Sequence, residues 1–244
     1  MLFRSVFVPD VTWMLPATAE SALIGAGLAV GTVTQANSDT VPAGQVVSQN
    51  PAAGAEVAAG SAVDFVVSLG SAPVNVPDAA LAAAIREQLG LAADTPLTGV
   101  HLLALTSLDG NNKGIADLTG LEHALNLTYL YLANDAVTEL TPLAGLTNLI
   151  NLGLYNNQVT DLAPLAGLTA LEWLSLRVNR LTDAAPLAGL ASLYSLNLQS
   201  NNLITVAPLV GGAVFTIPPD TPGLNIQGNP LLADVCDTQI PALE

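Results

Sequence analysis

Leucines recur with a period of 22 residues from about Leu118 onward. Each copy has two leucines separated by one residue, so both side chains point to the same face of a short strand. Copies stacked about 4.8 Å apart would bury these leucines in one shared core that a single copy cannot form. The pattern therefore predicts a solenoid with a parallel sheet. Its two leucine columns are Leu130, Leu152, Leu174 and Leu196, and Leu132, Leu154, Leu176 and Leu198.

Proline and asparagine form two further columns. Pro142, Pro164, Pro186 and Pro208 fall where the chain returns to the next strand, and their fixed φ and missing N–H predict short irregular or 3-10 segments rather than long helices. An asparagine that follows each strand can donate and accept, so it can bridge adjacent coils. This predicts a ladder of Asn157, Asn179, Asn201 and Asn229. Asp135 stands at the earlier position, and because an ionised carboxylate cannot donate we expect a weaker rung there.

Residues that alternate with the strand leucines are predicted to line an open, concave face. Three of the four tyrosines and one of the two tryptophans fall there. Large, stiff, amphipathic side chains suit a contact surface for protein or sugar, although aromatic pairs across strands can simply stabilise a sheet. Gly153 is expected to leave a dip beside Tyr131. The candidate partner-binding residues are Tyr129, Tyr131, Asn151, Tyr155, Trp173, Ser175, Arg177, Asn197 and Gln199.

The first part of the chain follows another pattern. Residues 8–70 combine one helical segment around Ala19 to Ala26 with β-rich runs separated by Gly or Pro, which predicts a small α+β unit. A linker at 71–76 follows. An amphipathic helix then begins at the N-cap Asp78 and ends at Gly90. We interpret residues 77–107 as a helical cap that shields the first coil of the repeats at 108–231 from water.

The two ends are assigned separately. Residues 1–7 lack the basic start and apolar run of a secretory signal and are interpreted as a non-native or truncated leader. The last strand is expected at Leu224, six residues later than the period requires. Residues 232–244 predict a C-terminal helix in a truncated end.

The charge, the cysteine count and the length of the apolar stretches exclude several classes of protein. Twenty carboxylates face five Lys and Arg residues, giving a net charge of -15, so the clustered cations that bind nucleic acid or anionic lipid are missing. A single cysteine, Cys236, rules out an internal disulfide framework. The longest apolar stretch is interrupted by glycines and is too short for a membrane span.

Candidate chemistry is sparse. His101 and His123 are the only histidines, and each is more simply explained as a structural or surface residue. The segment "DGNNKG" at 109–114 resembles a calcium loop, but Lys113 occupies a ligand position and Gly120 stands where a bidentate Glu belongs. The sequence therefore predicts no catalytic residue, no metal site and no cofactor.

The first region resembles a PASTA domain, a module found outside the membrane on bacterial penicillin-binding proteins and cell-wall-sensing serine/threonine kinases. The resemblance rests on "VPDV", "AGLAVGTVT", "SQNPAAG" and "GSAVDFVVSLG". It implies a small α+β fold and contact with peptidoglycan through residues 8–70.

The second region resembles leucine-rich repeats of the bacterial internalin type. The leucine, proline and asparagine columns carry this likeness, together with the opening "LTSLDGNNKGIADLTGLEHALNLTYLYL", over residues 74–231. It implies a horseshoe with its sheet on the concave side and a helical N-terminal cap.

Together these expectations describe a monomeric, non-catalytic binding protein of the bacterial surface. Its concave face would recognise a protein or a glycan. Two alternatives stay open: a structural spacer, and the extracellular sensor part of a larger enzyme, such as a cell-wall kinase or hydrolase, whose catalytic domain lies elsewhere.

Overall fold

The computed structural model describes residues 4–210 and 223–231, which form two compact units. The first contains the described residues up to Pro73 together with Thr98–Val100, and the second contains Val74–Leu97 and the described residues from His101 onward. Each unit packs around its own apolar core. The helix predicted at 232–244, and Cys236 with it, lies outside the described residues.

The first unit has one helix and two small sheets. Strand β5 is central to a three-stranded sheet, with β2 parallel to it on one side and β3 antiparallel on the other. β1 and β4 form a separate antiparallel pair, so Ser5–Phe7 of the expected leader lie in a strand. The elements are β1 (Ser5–Phe7), α1 (Pro16–Gly25), β2 (Ala29–Ala36), β3 (Val46–Asn50), β4 (Glu56–Ala58) and β5 (Ala62–Ser68).

Burial explains this arrangement. Pro16 starts α1 at the position where a missing N–H costs nothing, and the helix buries Ala19 and Leu23. β5 alternates exposed and buried residues, so its inward Val63 and Phe65 join the same core. A continuous apolar cluster thus holds helix and sheet together.

The second unit is a solenoid. Six short strands form one sheet in the order β11-β10-β9-β8-β7-β6, and every neighbouring pair is parallel. The strands are β6 (Ser107–Asp109), β7 (Tyr129–Tyr131), β8 (Asn151–Gly153), β9 (Trp173–Ser175), β10 (Ser195–Asn197) and β11 (Leu224–Asn225). The register places Leu130, Leu152, Leu174 and Leu196 on consecutive rungs, all fully buried. Each coil of the solenoid between these strands therefore contains 22 residues, as the sequence period predicts.

Short 3-10 turns make the return path, at Leu121–His123, Thr141–Leu143, Ala163–Leu165 and Ala185–Gly189. Three of them have Pro at the first or second position, where its fixed φ favours the turn. A buried leucine in each turn joins the core, as Leu143 and Leu165 do. The predicted fold class, a small α+β module with a leucine-rich solenoid, is confirmed.

Helices stand at the beginning and near the end of the solenoid: α2 (Ala79–Leu89), α3 (Gly99–Ala104) and α4 (Ala207–Val210). Asp78 caps α2 by accepting from the N–H groups of Ala80 and Leu81, and its second oxygen accepts from Ala116 and Asp117. Partial burial alone would raise the pKa of Asp78, but these four N–H donors outweigh it and lower the pKa. One carboxylate thus joins the cap helix to the first coil.

Candidate functional site

The predicted contact residues occupy one face of the repeat sheet. Strand pairing places Tyr129, Asn151, Trp173 and Ser195 on consecutive rungs of one column, and Tyr131, Gly153, Ser175 and Asn197 on the next. Their strand leucines point the other way into the core. We call the surface formed by the residues flanking these leucines the open face.

Two aromatic rings meet above Gly153. The ring centroids of Tyr131 and Trp173 lie 6.3 Å apart with an interplanar angle of 61°, an edge-to-face pair. A β-carbon on Gly153 would lie 3.0 Å from Tyr131 Cδ1 and 3.5 Å from Trp173 Cζ3. The expectation of a dip is therefore wrong, because the two rings cover the glycine and bury it.

A second contact extends the aromatic surface. The guanidinium carbon of Arg177 lies 5.1 Å from the centre of the Tyr155 ring, which is cation–π geometry. Arg177 remains exposed while Tyr155 is half-buried. The exposed guanidinium keeps its hydrogen-bond donors available for a ligand.

The remaining predicted contact residues are less uniform. Asn151, Asn197 and Gln199 are half-buried, whereas Ser175 is only 7 % exposed and offers little surface to a partner. Asn197 Oδ1 accepts from the Gln199 N–H at 3.0 Å, so its oxygen is already engaged. Among the aromatic residues of the open face, Tyr129 is the most exposed, with 41 % of its surface accessible.

Beneath this face lies a ladder of asparagine side chains. Asn179 Nδ2 donates to the carbonyls of Leu154 at 2.8 Å and Leu176 at 3.0 Å, and its Oδ1 accepts from the Val159 N–H at 2.9 Å. Asn157, Asn201 and Asn229 each repeat this arrangement one coil apart. Each amide thus joins its own coil to the coil before it.

Asp135 takes a different set of partners. Its Oδ1 accepts from three consecutive N–H groups, those of Lys113 at 3.0 Å, Gly114 at 2.7 Å and Ile115 at 3.1 Å. Such a cluster of backbone donors favours a carboxylate over an amide. Its Oδ2 is buried and has no partner among the described residues. The rung is therefore anchored on one oxygen and unsatisfied on the other.

A second, surface ladder was not predicted. Asn112, Asn134 and Asn156 all have left-handed backbone conformations, which asparagine tolerates better than most residues. Asn156 Nδ2 donates to Asn134 Oδ1 at 3.0 Å, and Asn134 Nδ2 donates to Asn112 Oδ1 at 3.1 Å. The 22-residue spacing of these asparagines was the signal available in the sequence.

The open face also begins one rung earlier than predicted. Ser107 pairs with Tyr129 and Asp109 with Tyr131, so β6 adds polar side chains beside the aromatic ones. The leucine pattern is interrupted here because Gly110 replaces the second leucine. A β-carbon on Gly110 would lie 2.8 Å from both Ile115 Cδ1 and Leu132 Cδ2.

The other candidate chemistry stays dispersed. His123 Nε2 lies 3.9 Å from Glu122 Oε1 on the surface, and Lys113 Nζ forms a 2.8 Å ion pair with Glu87 Oε2. The hydrogen bond to Glu87, together with the negative charge of that residue, raises the pKa of Lys113. Among residues 4–210 and 223–231, no three His, Cys, Asp or Glu side chains cluster as a metal site. In the same residues, no helix is long and apolar enough to cross a bilayer.

Comparison with known families assigns both units. The PASTA domain profile matches residues 6–69, and the profile for paired leucine-rich repeats matches residues 125–167 and 169–210. The chain carries a PASTA domain followed by leucine-rich repeats.

Solved structures place the repeats with the internalins. An internalin (InlF) from Listeria monocytogenes superposes with a TM-score of 0.59 and 34% identity, covering 65% of this chain and 46% of that one. The functional domain of InlJ from the same organism gives a TM-score of 0.53 and 28% identity over 63% of this chain and 37% of its own. The repeat domain is therefore of the internalin type.

The PASTA domain has relatives among kinases. A probable serine/threonine-protein kinase of Corynebacterium efficiens is 42% identical over 73 residues, 30% of this chain and 11% of that protein. The kinase PknB of Corynebacterium glutamicum is 40% identical over 72 residues, 29% of this chain and 11% of its own length. The chain thus spans about a tenth of these curated relatives.

Proposed function

We propose that this chain is a non-catalytic binding segment of a bacterial surface protein, and that the open face of its repeats holds a protein or glycan partner. The observation that carries the proposal is the placement of Tyr129, Tyr131, Trp173 and Tyr155 on adjacent rungs, where they stay partly exposed. An aromatic residue that served only the fold would gain more stability by being fully buried. PASTA and internalin-type domains commonly occur on the outside of cells, which supports a surface location.

The PASTA domain is proposed to contact peptidoglycan. In addition to its family, the support is chemical: hydroxyl, amide and carboxylate side chains line a hollow of about 350 Å³ on its sheet, including Thr32, Thr34, Ser48, Asn50 and Asp64. These groups both donate and accept, as hydrogen bonding to sugars and peptides requires.

A second candidate function is the extracellular sensor or spacer part of a larger enzyme. The kinases above favour it, because their similarity to this chain is confined to a PASTA-sized segment. In that case catalysis belongs to sequence outside this chain, and the open face would still supply recognition or extend the sensor.

The decisive experiment removes two aromatic side chains from the open face of the full chain. Wild type, Tyr155→Ala/Trp173→Ala and the control Tyr194→Ala are compared for binding to purified peptidoglycan, a glycan array and surface-protein extracts. Tyr194 is 42 % exposed but lies outside the columns of the open face. The double variant is expected to lose the captured repeat-domain partner while its melting temperature changes little.

Retention of every captured partner by Tyr155→Ala/Trp173→Ala would contradict the assignment of the open face. Peptidoglycan binding that survives in this variant would instead be attributed to the PASTA domain. Substitution of Asp64 and Asn50 by Ala tests that attribution, and unaltered sedimentation with peptidoglycan would argue against the hollow.

A further inference from the structure

A polar cleft opens between the cap helix α2 and the first rung of the repeat sheet. Its volume is about 530 Å³, within the usual range of about 300–1,000 Å³ for small-ligand sites. Glu87 and Gln88 of α2 form one wall, and Asp109, Asn111, Asn112 and Lys113 form the other. All of these residues belong to the repeat unit.

The hydrogen bonds within the wall formed by residues 109–113 leave defined groups for a ligand. Asn112 Oδ1 is occupied by Asn134 Nδ2, and Asn111 Oδ1 accepts from the Ala133 N–H at 2.6 Å. Both side chains therefore retain their Nδ2 donors, which have no partner among the described residues. Asp109 Oδ1 accepts from the Asn111 N–H at 3.1 Å, which leaves Oδ2 as an acceptor.

The surface ladder strengthens the donor at Asn112. Asn156, Asn134 and Asn112 form a chain in which every amide donates toward the cleft and the last one, Asn112, has its N–H groups free. Hydrogen bonds aligned in one direction polarise one another, so the terminal donor is stronger than an isolated amide. The ladder thus delivers a polarised donor at the edge of the cleft.

The charge and position of the cleft define its ligand. Two carboxylates and one ammonium group give it a net negative charge in a chain of net charge -15, so it disfavours phosphate, sulfate and carboxylate ligands. Its walls are polar, so it disfavours apolar ligands. Asp109 pairs in register with Tyr131, so the aromatic residues of the open face continue from the cleft.

We infer that the cleft is a subsite for the end of a neutral, hydroxyl-rich glycan whose chain continues across the open face. Asn112 Nδ2 would donate to ring hydroxyl or acetamido oxygens, Asp109 Oδ2 would accept from hydroxyl groups, and the sugar faces would stack on the neighbouring tyrosines. This inference depends on the proposed role of the open face as a binding surface, and it selects a glycan from the two partner classes.

The test measures binding of the full chain to cellotetraose, chitotetraose and mannotetraose, and to their sulfated forms, by isothermal titration calorimetry. Asn112→Gly removes the terminal amide and suits the left-handed backbone at this position. Ser200→Gly is the matched control, because Ser200 has the same left-handed backbone at the equivalent position of a later coil and takes no part in the ladder. Asp109→Asn removes the charge but keeps an oxygen for the Asn111 N–H.

At least one neutral tetramer is expected to bind, and its sulfated form is expected to bind more weakly. Asn112→Gly and Asp109→Asn should each reduce the affinity about tenfold, whereas Ser200→Gly should change it less than about threefold. Binding lost in Trp173→Ala but unchanged in Asn112→Gly and Asp109→Asn overturns the subsite and leaves the open face intact. Failure of every neutral tetramer to bind, or stronger binding of the sulfated forms, also overturns it.

Discussion

Replacing Asn157 by Ala should destabilise the repeat unit more than replacing Asn179 by Ala, although the two residues occupy equivalent, buried positions. Each substitution orphans one buried N–H, that of Val137 or Val159 respectively. The difference lies in the carbonyls. Leu154 O and Leu176 O each accept from two asparagines, so the loss of Asn179 leaves both of them with a partner.

Leu132 O does not have a second asparagine donor of this kind. Asn157 Nδ2 is its side-chain donor, at 2.6 Å, because the preceding rung carries Asp135 instead of an asparagine. Asn157→Ala therefore leaves both the Val137 N–H and the Leu132 carbonyl unpaired. An unsatisfied buried group costs about 1–3 kcal/mol, so we expect a loss of about 2–3 kcal/mol for Asn179→Ala and about 1–2 kcal/mol more for Asn157→Ala.

The assay combines urea unfolding, followed by far-UV circular dichroism, with hydrogen exchange at the Val137 and Val159 amides. Asn148→Ala is the control, because Asn148 is exposed and makes one hydrogen bond, to Leu125 O at 2.9 Å. Its loss should cost less than about 1 kcal/mol. Equal losses at positions 157 and 179, or a larger loss at 179, would refute the assignment of paired donors to the leucine carbonyls.

Two further predictions concern stability. Because the folded-state pKa of Asp78 is lowered, its contribution to stability is fully present above the unfolded value near 3.8 and is lost as the pH falls through the lower folded value. Urea midpoints measured from pH 6 to pH 2 should therefore fall less steeply for Asp78→Asn than for wild type. Parallel curves for the two proteins would contradict this. Trp13 has a φ of 64° and is 56 % exposed, so Trp13→Gly should relieve left-handed strain and stabilise the PASTA domain by about 0.5–1 kcal/mol, with a lower melting temperature as the contrary result.

The regular parts of the fold followed from periodicity. Because each coil buries the same leucines, a sequence spacing of 22 residues translates directly into the strand register seen at Leu152 and Leu174. The first rung was harder to predict, since Gly110 breaks the leucine column. Glycine is required at this position because the side chains of Ile115 and Leu132 occupy the space that a β-carbon would need. Both of these residues come from other parts of the sequence.

Side-chain geometry on the open face was only partly predictable. Alternation along the strands indicated which residues share the face, but the closure of Tyr131 and Trp173 over Gly153 depends on ring orientation, which spacing does not specify. The cleft beside Asp109 depends on where α2 packs against the first coil. That position is fixed by the Asp78 carboxylate and two N–H groups some forty residues later in the chain.

The direction of the hydrogen bonds in the asparagine ladder determines the order in which the coils can be completed. Asn157, Asn179 and Asn201 each reach backward, to a leucine carbonyl 25 residues earlier in the chain. The hydrogen bonds of each coil are therefore completed by the asparagine of the next coil. During synthesis, a coil can become fully hydrogen-bonded only after the following coil has left the ribosome. The solenoid then forms coil by coil from the amino-terminal side, and the most recent coil lacks the hydrogen bonds that the next asparagine will donate.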